Sequence, residues 1–145
     1  MQVAQVMSRQ PRVISPDLTI REAAVLMREI DSGFLPVGEN DRLIGTVTDR
    51  DIALRAVAEG KDPNSCSIRE ILSEHVAYCF EDQDVEEAAE IMSSKQIRRL
   101  PVLNRGKRLV GVVTLGDLAE RGQAAPVAGH ALEEVCRHTG QARAM

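Results

Sequence analysis

The stretch GTVTDRDIALR runs from Gly45 to Arg55, and GVVTLGDLAER runs from Gly111 to Arg121. In register they share Gly, Val, Thr, Asp, Ala and Arg, and each places a Thr-x-x-Asp just after an apolar run. Working outward, IREAAVLM (Ile20–Met27) recurs as VEEAAEIM (Val85–Met92), and GFLPV (Gly33–Val37) recurs as RRLPV (Arg98–Val102). Self-similarity at a fixed period marks a duplicated unit. Met27 and Met92 are offset by 65 residues, and Gly45 and Gly111 by 66. The extra residue falls in the polar turn, GENDR against NRGKR, where an insertion disturbs least.

Each copy reads alike. A short apolar piece comes first, Val13–Ile14 or Ala77–Phe80. Thr19-x-x-Glu22 and Asp84-x-x-Glu87 then have the form of a capping box that opens a helix. Ile20, Ala23, Ala24, Met27 and Ile30 fall on one helical stripe. A strand around Leu35–Val37, a turn, and a second strand over Leu43–Val47 lead into a helix that begins near Asp49. The order is β-α-β-β-α, repeated, an α+β class. Half a chain of about 60 residues buries little surface alone, so the copies should pack together as a pseudo-two-fold pair. The expected division is repeat 1 over 2–60, a linker over 61–67, repeat 2 over 68–122 and a tail over 123–145. Gly60 and Pro63 punctuate the linker region, a short helix over Ile68–Leu72 opens the second repeat, and Ala131–His138 forms a terminal helix.

Composition narrows the function. The 145 residues are 43% hydrophobic but only 2% aromatic, with no Trp, so the core must be aliphatic and there is little surface for stacking single-stranded nucleic acid. A net charge of −4 without a basic run argues against nucleic acid as a partner. No apolar stretch is long enough to cross a membrane, and MQVAQVMSRQP lacks the apolar centre of a secretory leader, so a cytoplasmic address is expected. Cys66, Cys79 and Cys136 are an odd number without CxxC spacing and read as idle thiols rather than a disulfide framework. No GxSxG, HExxH, Walker or GxGxxG sequence is present, and the paired acids Glu86–Glu87 and Asp49/Asp51 read as helix-start charges. The expectation is a chain that is not an enzyme.

Thr48-x-x-Asp51 and Thr114-x-x-Asp117 admit two readings. Thr followed by an acid three residues on is a capping box in its own right. Gly45 and Gly111, inside strands, often mark close approach by a ligand or another backbone. A helix N-terminus suits phosphate, and a carboxylate one turn in can accept two hydrogen bonds from a ribose diol.

Two copies of β-α-β-β-α with Leu-Pro-Val followed by Gly-x-x-Thr-x-x-Asp resemble a tandem pair of CBS domains, the cystathionine-β-synthase-type regulatory modules. TDRDI, IRRLPV and LVGVVT carry the resemblance, which covers roughly Gln2 to Gly122. The chain resembles the stand-alone bacterial two-CBS proteins, including the hypoxic-response type. What the resemblance implies is an adenine nucleotide as regulatory ligand, with no catalytic cofactor, a homodimer, and a protein target that the sequence does not identify. Asp51 with Thr48, and Asp117 with Thr114, would hold ribose. Each seat would be completed by the other repeat: Thr48 and Asp51 by Ala77, Tyr78, Ile97, Arg98 and Arg99, and Thr114 and Asp117 by Arg12, Val13, Gly33 and Phe34.

The two seats are unequal. The first gathers Arg50, Arg98 and Arg99, whose guanidinium forks suit phosphate. The second has Leu115–Gly116 where the first has Asp49–Arg50, and Gly33–Phe34 where the first has Arg98–Arg99, leaving Arg12 as its cation. The first is expected to bind a phosphorylated nucleotide, and the second to be weak, empty or selective for a less charged ligand. The arginines also read as a solvated, salt-bridged edge beside Asp49. AMP, ADP, ATP, NAD and S-adenosylmethionine are not separated. Two other functions stand beside this one: a scaffold that only dimerises, its clefts vestigial, and a metal-binding two-CBS protein. For the latter, His75, His130, His138, Cys79 and Cys136 are candidate ligands, but Cys136-x-His138 spacing does not build a site by itself.

Overall fold

The first long helix begins where the sequence supplies a cap. Thr19 Oγ1 accepts the Glu22 N–H at 3.1 Å while Glu22 Oε1 accepts the Thr19 N–H at 3.2 Å, closing a capping box. This geometry comes from a computed structural model that describes residues 1–74, 76–121, 129, 132, 134 and 135. Along the chain, a 3-10 turn (Val3–Gln5) precedes strand β1 (Ser8–Arg9), helix α1 (Ile20–Ile30), strands β2 (Phe34–Glu39) and β3 (Arg42–Thr48), and a first turn of helix, α2 (Asp49–Asp51). α2 runs on as a π-helical segment (Ile52–Val57), and a second 3-10 turn follows at Ile68–Glu70. Then come β4 (Cys79–Phe80), α3 (Val85–Lys95), β5 (Arg99–Leu103), β6 (Leu109–Thr114) and α4 (Leu115–Arg121). The α+β class and the repeated β-α-β-β-α order are as the sequence led us to expect. Of the expected helix over Ala131–His138, Leu132, Glu134 and Val135 are helical and the rest lies outside the described residues. No helix among the described residues is long and apolar enough to cross a membrane.

The chain gathers into two compact units, Arg12–Val76, and Met1–Pro11 with Ala77–Met145. In the first, β2 and β3 pair antiparallel around a two-residue turn, Asn40–Asp41, with φ of 55° and 62°. Positive φ at both positions is the type I′ geometry that matches strand twist, and Asn and Asp tolerate it. Ile14 bridges Val37 in parallel on one side of this hairpin, and Ser73 bridges Thr46 antiparallel on the other. Ile14, Ile20, Ala23, Met27, Leu35, Val37, Val47, Ala56, Ile68 and Ile71 form its core. Ala24, expected on the buried stripe of α1, is exposed; the face that packs is the narrower one of Ile20, Ala23 and Met27.

In the second unit the strand order is β1-β6-β5-β4, with β4 parallel to β5 and the other pairs antiparallel. Val102 pairs with Gly111 as Val37 pairs with Gly45, so the inserted residue lies in the turn, as its offset indicated. α3 departs from expectation at its start. Asp84 gives its helix no side-chain cap; its Oδ1 accepts instead from the Met1 ammonium at 3.2 Å, and Gln83, not Thr or Ser chemistry at Asp84, engages Glu87.

The compact units do not follow the division of the sequence at 61–67. Val3, Val6 and Met7 open the first repeat by sequence, yet they are 0%, 1% and 4% exposed within the core of α3, β5, β6 and α4. Ile68 and Ile71 open the second repeat by sequence, yet they fill the core of α1, β2 and β3. Val3, Val6, Met7 and Ser8 stand 65 residues before Ile68, Ile71, Leu72 and Ser73, so the exchange is itself duplicated. Each segment then supplies an edge: Ser8 pairs with Val112, and Ser73 exchanges two hydrogen bonds with Thr46, at 2.9 and 3.0 Å. Arg69 fastens the second segment, with Nη2 at 2.6 Å from Glu39 Oε2 and 3.2 Å from Asp17 Oδ1. These ion pairs are exposed, so apolar burial dominates the attachment.

Candidate functional site

The two Thr-x-x-Asp motifs sit where a strand turns into a helix, one in each unit. In residues 12–76, Thr48 ends β3 in extended conformation, and its Oγ1 accepts the Asp51 N–H at 3.1 Å. Asp51 Oδ2 in return accepts the Thr48 N–H at 2.9 Å. The cap therefore engages one carboxylate oxygen and fixes the direction of the other. That second oxygen, Oδ1, lies 3.8 Å from Arg55 Nε, and Arg55 Nη1 is itself anchored on Ile71 O at 3.1 Å. The Asp51 side chain is 16% exposed, a half-sheltered acceptor rather than a solvated one.

Phe34 pairs opposite Thr48, and the Asp49 N–H donates to Gly33 O at 2.9 Å. This places Gly33 and Phe34 beside the motif of their own repeat. The Asp49 carboxylate lies so close over Gly33 that a Cβ there would overlap both carboxylate oxygens. Asp49 Oδ1 accepts the Arg50 N–H at 2.8 Å, and the Arg50 side chain is exposed with no ion pair among the described residues. Arg12 is exposed; Val13, 48% exposed, lies over Gly38 just before Ile14 bridges to β2.

The second unit repeats the cap. Thr114 Oγ1 accepts the Asp117 N–H at 3.0 Å, and Asp117 Oδ2 accepts the Thr114 N–H at 2.9 Å. Arg99 pairs opposite Thr114, and the Leu115 N–H donates to Arg98 O at 3.0 Å. Leu115, 7% exposed, occupies the position that Asp49 holds in the first unit, and Arg98 that of Gly33. Arg98 and Arg99 are exposed; Ile97 and Ala77 are half-buried against the core. Tyr78, 39% exposed, meets Phe80 edge-on at 5.6 Å. Arg105 stacks over Phe80 at 4.2 Å while its Nε and Nη2 grip Asp82 at 2.9 and 2.8 Å, which holds the Asp82 carboxyl below its usual range. The Tyr78 ring thus stands on a braced support.

Within each unit, then, the motif is brought beside the two residues that precede its own Leu-Pro-Val. Each of the sets assigned across repeats draws on both units. Gly45 and Gly111 have a structural explanation. A Cβ on Gly45 would stand 2.6 Å from Ser73 O, and one on Gly111 would stand 2.7 Å from Ser8 O. What approaches both glycines is the backbone of the exchanged segments. Sequence reasoning did not foresee the packing of Asp49 on Gly33; its signal was a glycine where the other repeat has arginine.

Among the described residues no three of His, Cys, Asp and Glu are placed to hold a metal. His75, His130, Cys136 and His138 lie outside the described residues. Cys79 is fully buried, and desolvation pushes its thiol up to about 12, far from the thiolate a metal requires. Cys66 is buried as well, its thiol raised by desolvation and by hydrogen bonding with Glu70.

Comparison with known proteins sets this geometry in context. The family model described as CBS domain matches residues 3–57 and 68–123. The CBS domain-containing protein YhcV of Bacillus subtilis is 40% identical over 133 residues, covering 92% of this chain and 94% of its own. Hypoxic response protein 1 of Mycobacterium tuberculosis is 41% identical over 102 residues, 70% of this chain and 71% of its own. A crystal structure of hypoxic response protein I with two coordinated zinc ions superposes with a TM-score of 0.76 at 36% identity, covering 82% of this chain and 97% of that one. The CBS domain pair of protein MJ0100, in complex with 5′-methylthioadenosine and S-adenosyl-L-methionine, gives a TM-score of 0.73 at 31% identity, covering 82% and 93%.

Proposed function

Because the chain belongs to the CBS-domain family, with a pair of such domains filling most of its length, we propose that it is a non-catalytic regulatory module that binds an adenosine-containing ligand. The observation that carries this reading is the duplicated Thr-x-x-Asp. In both units the backbone N–H of the threonine donates to one carboxylate oxygen at 2.9 Å, and the cap does not engage the other. A half-sheltered carboxylate with one oxygen pinned is pre-organised to accept the hydroxyls of a ribose, because little side-chain freedom is left to lose. Thr48 and Asp51 are the ribose side of one seat, and Thr114 and Asp117 of the other. The flanking sets that the family resemblance assigns complete them: Ala77, Tyr78, Ile97, Arg98 and Arg99 for the first, and Arg12, Val13, Gly33 and Phe34 for the second. Arg50, Arg98 and Arg99 give the first seat its affinity for phosphate. The bound adenosine ligands of the MJ0100 pair support the ligand class.

A sensor responds only when its ligand binds two of its conformational states with unequal affinity, and the shift must then be read by a partner protein. Thermal unfolding with AMP, ADP, ATP, NAD and S-adenosylmethionine tests the reading, in the native chain and in Asp51→Asn and Asp117→Asn. A ligand at 100 times its dissociation constant stabilises by about 2.7 kcal/mol, a shift of several degrees. The expected result is a shift with at least one phosphorylated ligand, lost in Asp51→Asn and kept in Asp117→Asn, each variant measured against its own ligand-free midpoint. No shift with any of the five, in folded protein, would leave both carboxylates as helix caps and make the chain a scaffold.

The family resemblance also implies a homodimer, and Leu54 and Val57 support it. They lie one turn apart on the π-helical segment and are 50% and 68% exposed. We propose that this apolar pair is covered by a second copy. Sedimentation of the native chain should give a dimer and of Leu54→Glu a monomer; a native monomer at micromolar concentration sinks the proposal.

A further inference from the structure

We propose that Arg55 is a positioning residue that ties the Asp51 carboxylate to the exchanged segment at Ile71 and Leu72, so that a ligand held by Asp51 steadies that segment. The ligand rests on the adenosine-binding reading above, but every group in the tie lies within residues 12–76. GTVTDRDIALR and GVVTLGDLAER share an arginine four residues after the motif aspartate, Arg55 and Arg121, which belongs neither to the caps nor to the ribose seats. In the first unit that arginine has two separate tasks. Its Nε stands 3.8 Å from Asp51 Oδ1, while its Nη1 donates to Ile71 O at 3.1 Å and reaches Leu72 O at 3.5 Å.

Each end of the guanidinium suits its neighbour. At 3.8 Å, Nε lies beyond hydrogen-bond distance, so it draws the carboxylate by charge without occupying the lone pairs of Oδ1. Those lone pairs stay open to ribose hydroxyls. The Nη1 end meets carbonyls at the close of the 3-10 turn Ile68–Glu70, where backbone acceptors lack partners within the turn. A guanidinium is rigid and planar, so its two ends cannot shift independently. The helix backbone helps as well. Ala58 N–H donates to Ala53 O at 2.9 Å, five residues back, and so wide a turn brings residue 55 more nearly in line above Asp51 than an α-turn would. Next to Leu72, Ser73 exchanges its two hydrogen bonds with Thr46, which stands two residues before the capping Thr48. The contacts thus close a ring, from Asp51 through Arg55, Leu72, Ser73 and Thr46 back to Thr48. Coupling around such a ring is reciprocal: what fixes Asp51 steadies Ser73, and what fixes Ser73 orients Asp51.

Hydrogen exchange at the Ser73 and Thr46 amides reads the tie, in the full chain with and without saturating AMP or S-adenosylmethionine. Without ligand, Arg55→Met should speed both amides about fivefold and Asp51→Asn about twofold, while the double variant should be no faster than Arg55→Met. Effects that multiply would mean that the two side chains act independently, and the tie would be wrong. With ligand, whichever probe binds should slow both amides about fivefold in the native chain, but less than about twofold in Arg55→Met. Equal slowing in the two, or none in either, overturns the proposal. Arg55→Lys separates charge from bridging, because one ammonium can attract Asp51 without also spanning to Ile71. By calorimetry it should recover most of the ligand affinity that Arg55→Met loses, yet the slowing should stay lost. Recovery of both would show that the fork is not what transmits occupancy. If neither probe binds the native chain, the adenosine-binding reading falls, and the ligand-free cycle alone decides whether Arg55 ties Asp51 to the segment.

Discussion

Ile68→Ala is expected to destabilise the protein by about 2–5 kcal/mol and to loosen residues 12–76 rather than the repeat to which Ile68 belongs by sequence. Ile68 is 0% exposed and packs with Ile14, Ile20, Leu35 and Val47. Its own N–H donates to Leu18 O at 2.8 Å, the neighbouring Arg69 N–H to Pro16 O at 2.8 Å, and the Ile20 N–H to Cys66 O at 3.0 Å. The side chain is thus locked over the N-terminus of α1, where a cavity has few flexible neighbours to close it. Hydrogen exchange followed by segment distinguishes the outcomes. Protection should fall first in α1, β2 and β3. A loss confined to α3, β5 and β6 would mean that the segment over 68–73 is not exchanged between the repeats. Val3→Ala is the mirror experiment, and it should loosen α3, β5 and β6.

Gly45→Ala should cost about 2–4 kcal/mol, more than an added methyl costs on most strands. The new Cβ would stand 2.6 Å from Ser73 O and 2.6 Å from Leu72 Cδ1. A leucine tip can swing aside, but a carbonyl oxygen moves only with its backbone. Ser73 O is the acceptor for the Thr46 N–H at 3.0 Å, so relieving the clash strains the bridge that holds the edge of the hairpin. Gly116→Ala is the control. Gly116 lies within α4, where the nearest atom to a new Cβ is Thr114 Oγ1 at 3.5 Å, so helix propensity should make the change neutral or stabilising by up to about 1 kcal/mol. Urea unfolding of the two variants decides. Equal midpoints would show that the Ser73 edge is not held in place.

What was legible followed from how local each signal is. The Thr19 and Thr48 caps, the hairpin turn at Asn40–Asp41 and the buried Leu-Pro-Val strands depend on residues a few positions apart, and the repeat carries the Thr-x-x-Asp cap and the Leu-Pro-Val strand twice. Ala24 was misplaced because periodicity gives the direction of a helix stripe but not its width. Asp84 lost its capping role to the Met1 ammonium, a partner 83 residues away that no local pattern contains. The exchanged segments were missed for a different reason. VAQVMS and IREILS share only apolar spacing and a serine, so neither announces that it packs on the other repeat. At the candidate site, the two Thr-x-x-Asp caps were legible from spacing, while the packing of Asp49 on Gly33 emerged only once β2 and α2 were folded against each other.

The exchange also sets the order in which the chain can fold. Residues 12–76 are a nearly contiguous run, complete once Ser73 has been made. The other unit joins Ser8 to Val112, so its edge strand is synthesised before residues 12–76 and the strand it pairs with after them. Closing so long a loop is slow, and contacts of such separation retard folding. Val3, Val6 and Met7 must therefore wait as exposed apolar side chains until β6 exists. A fragment ending between the repeats, near residue 60, would hold the first segment without its groove, and the first groove without its segment.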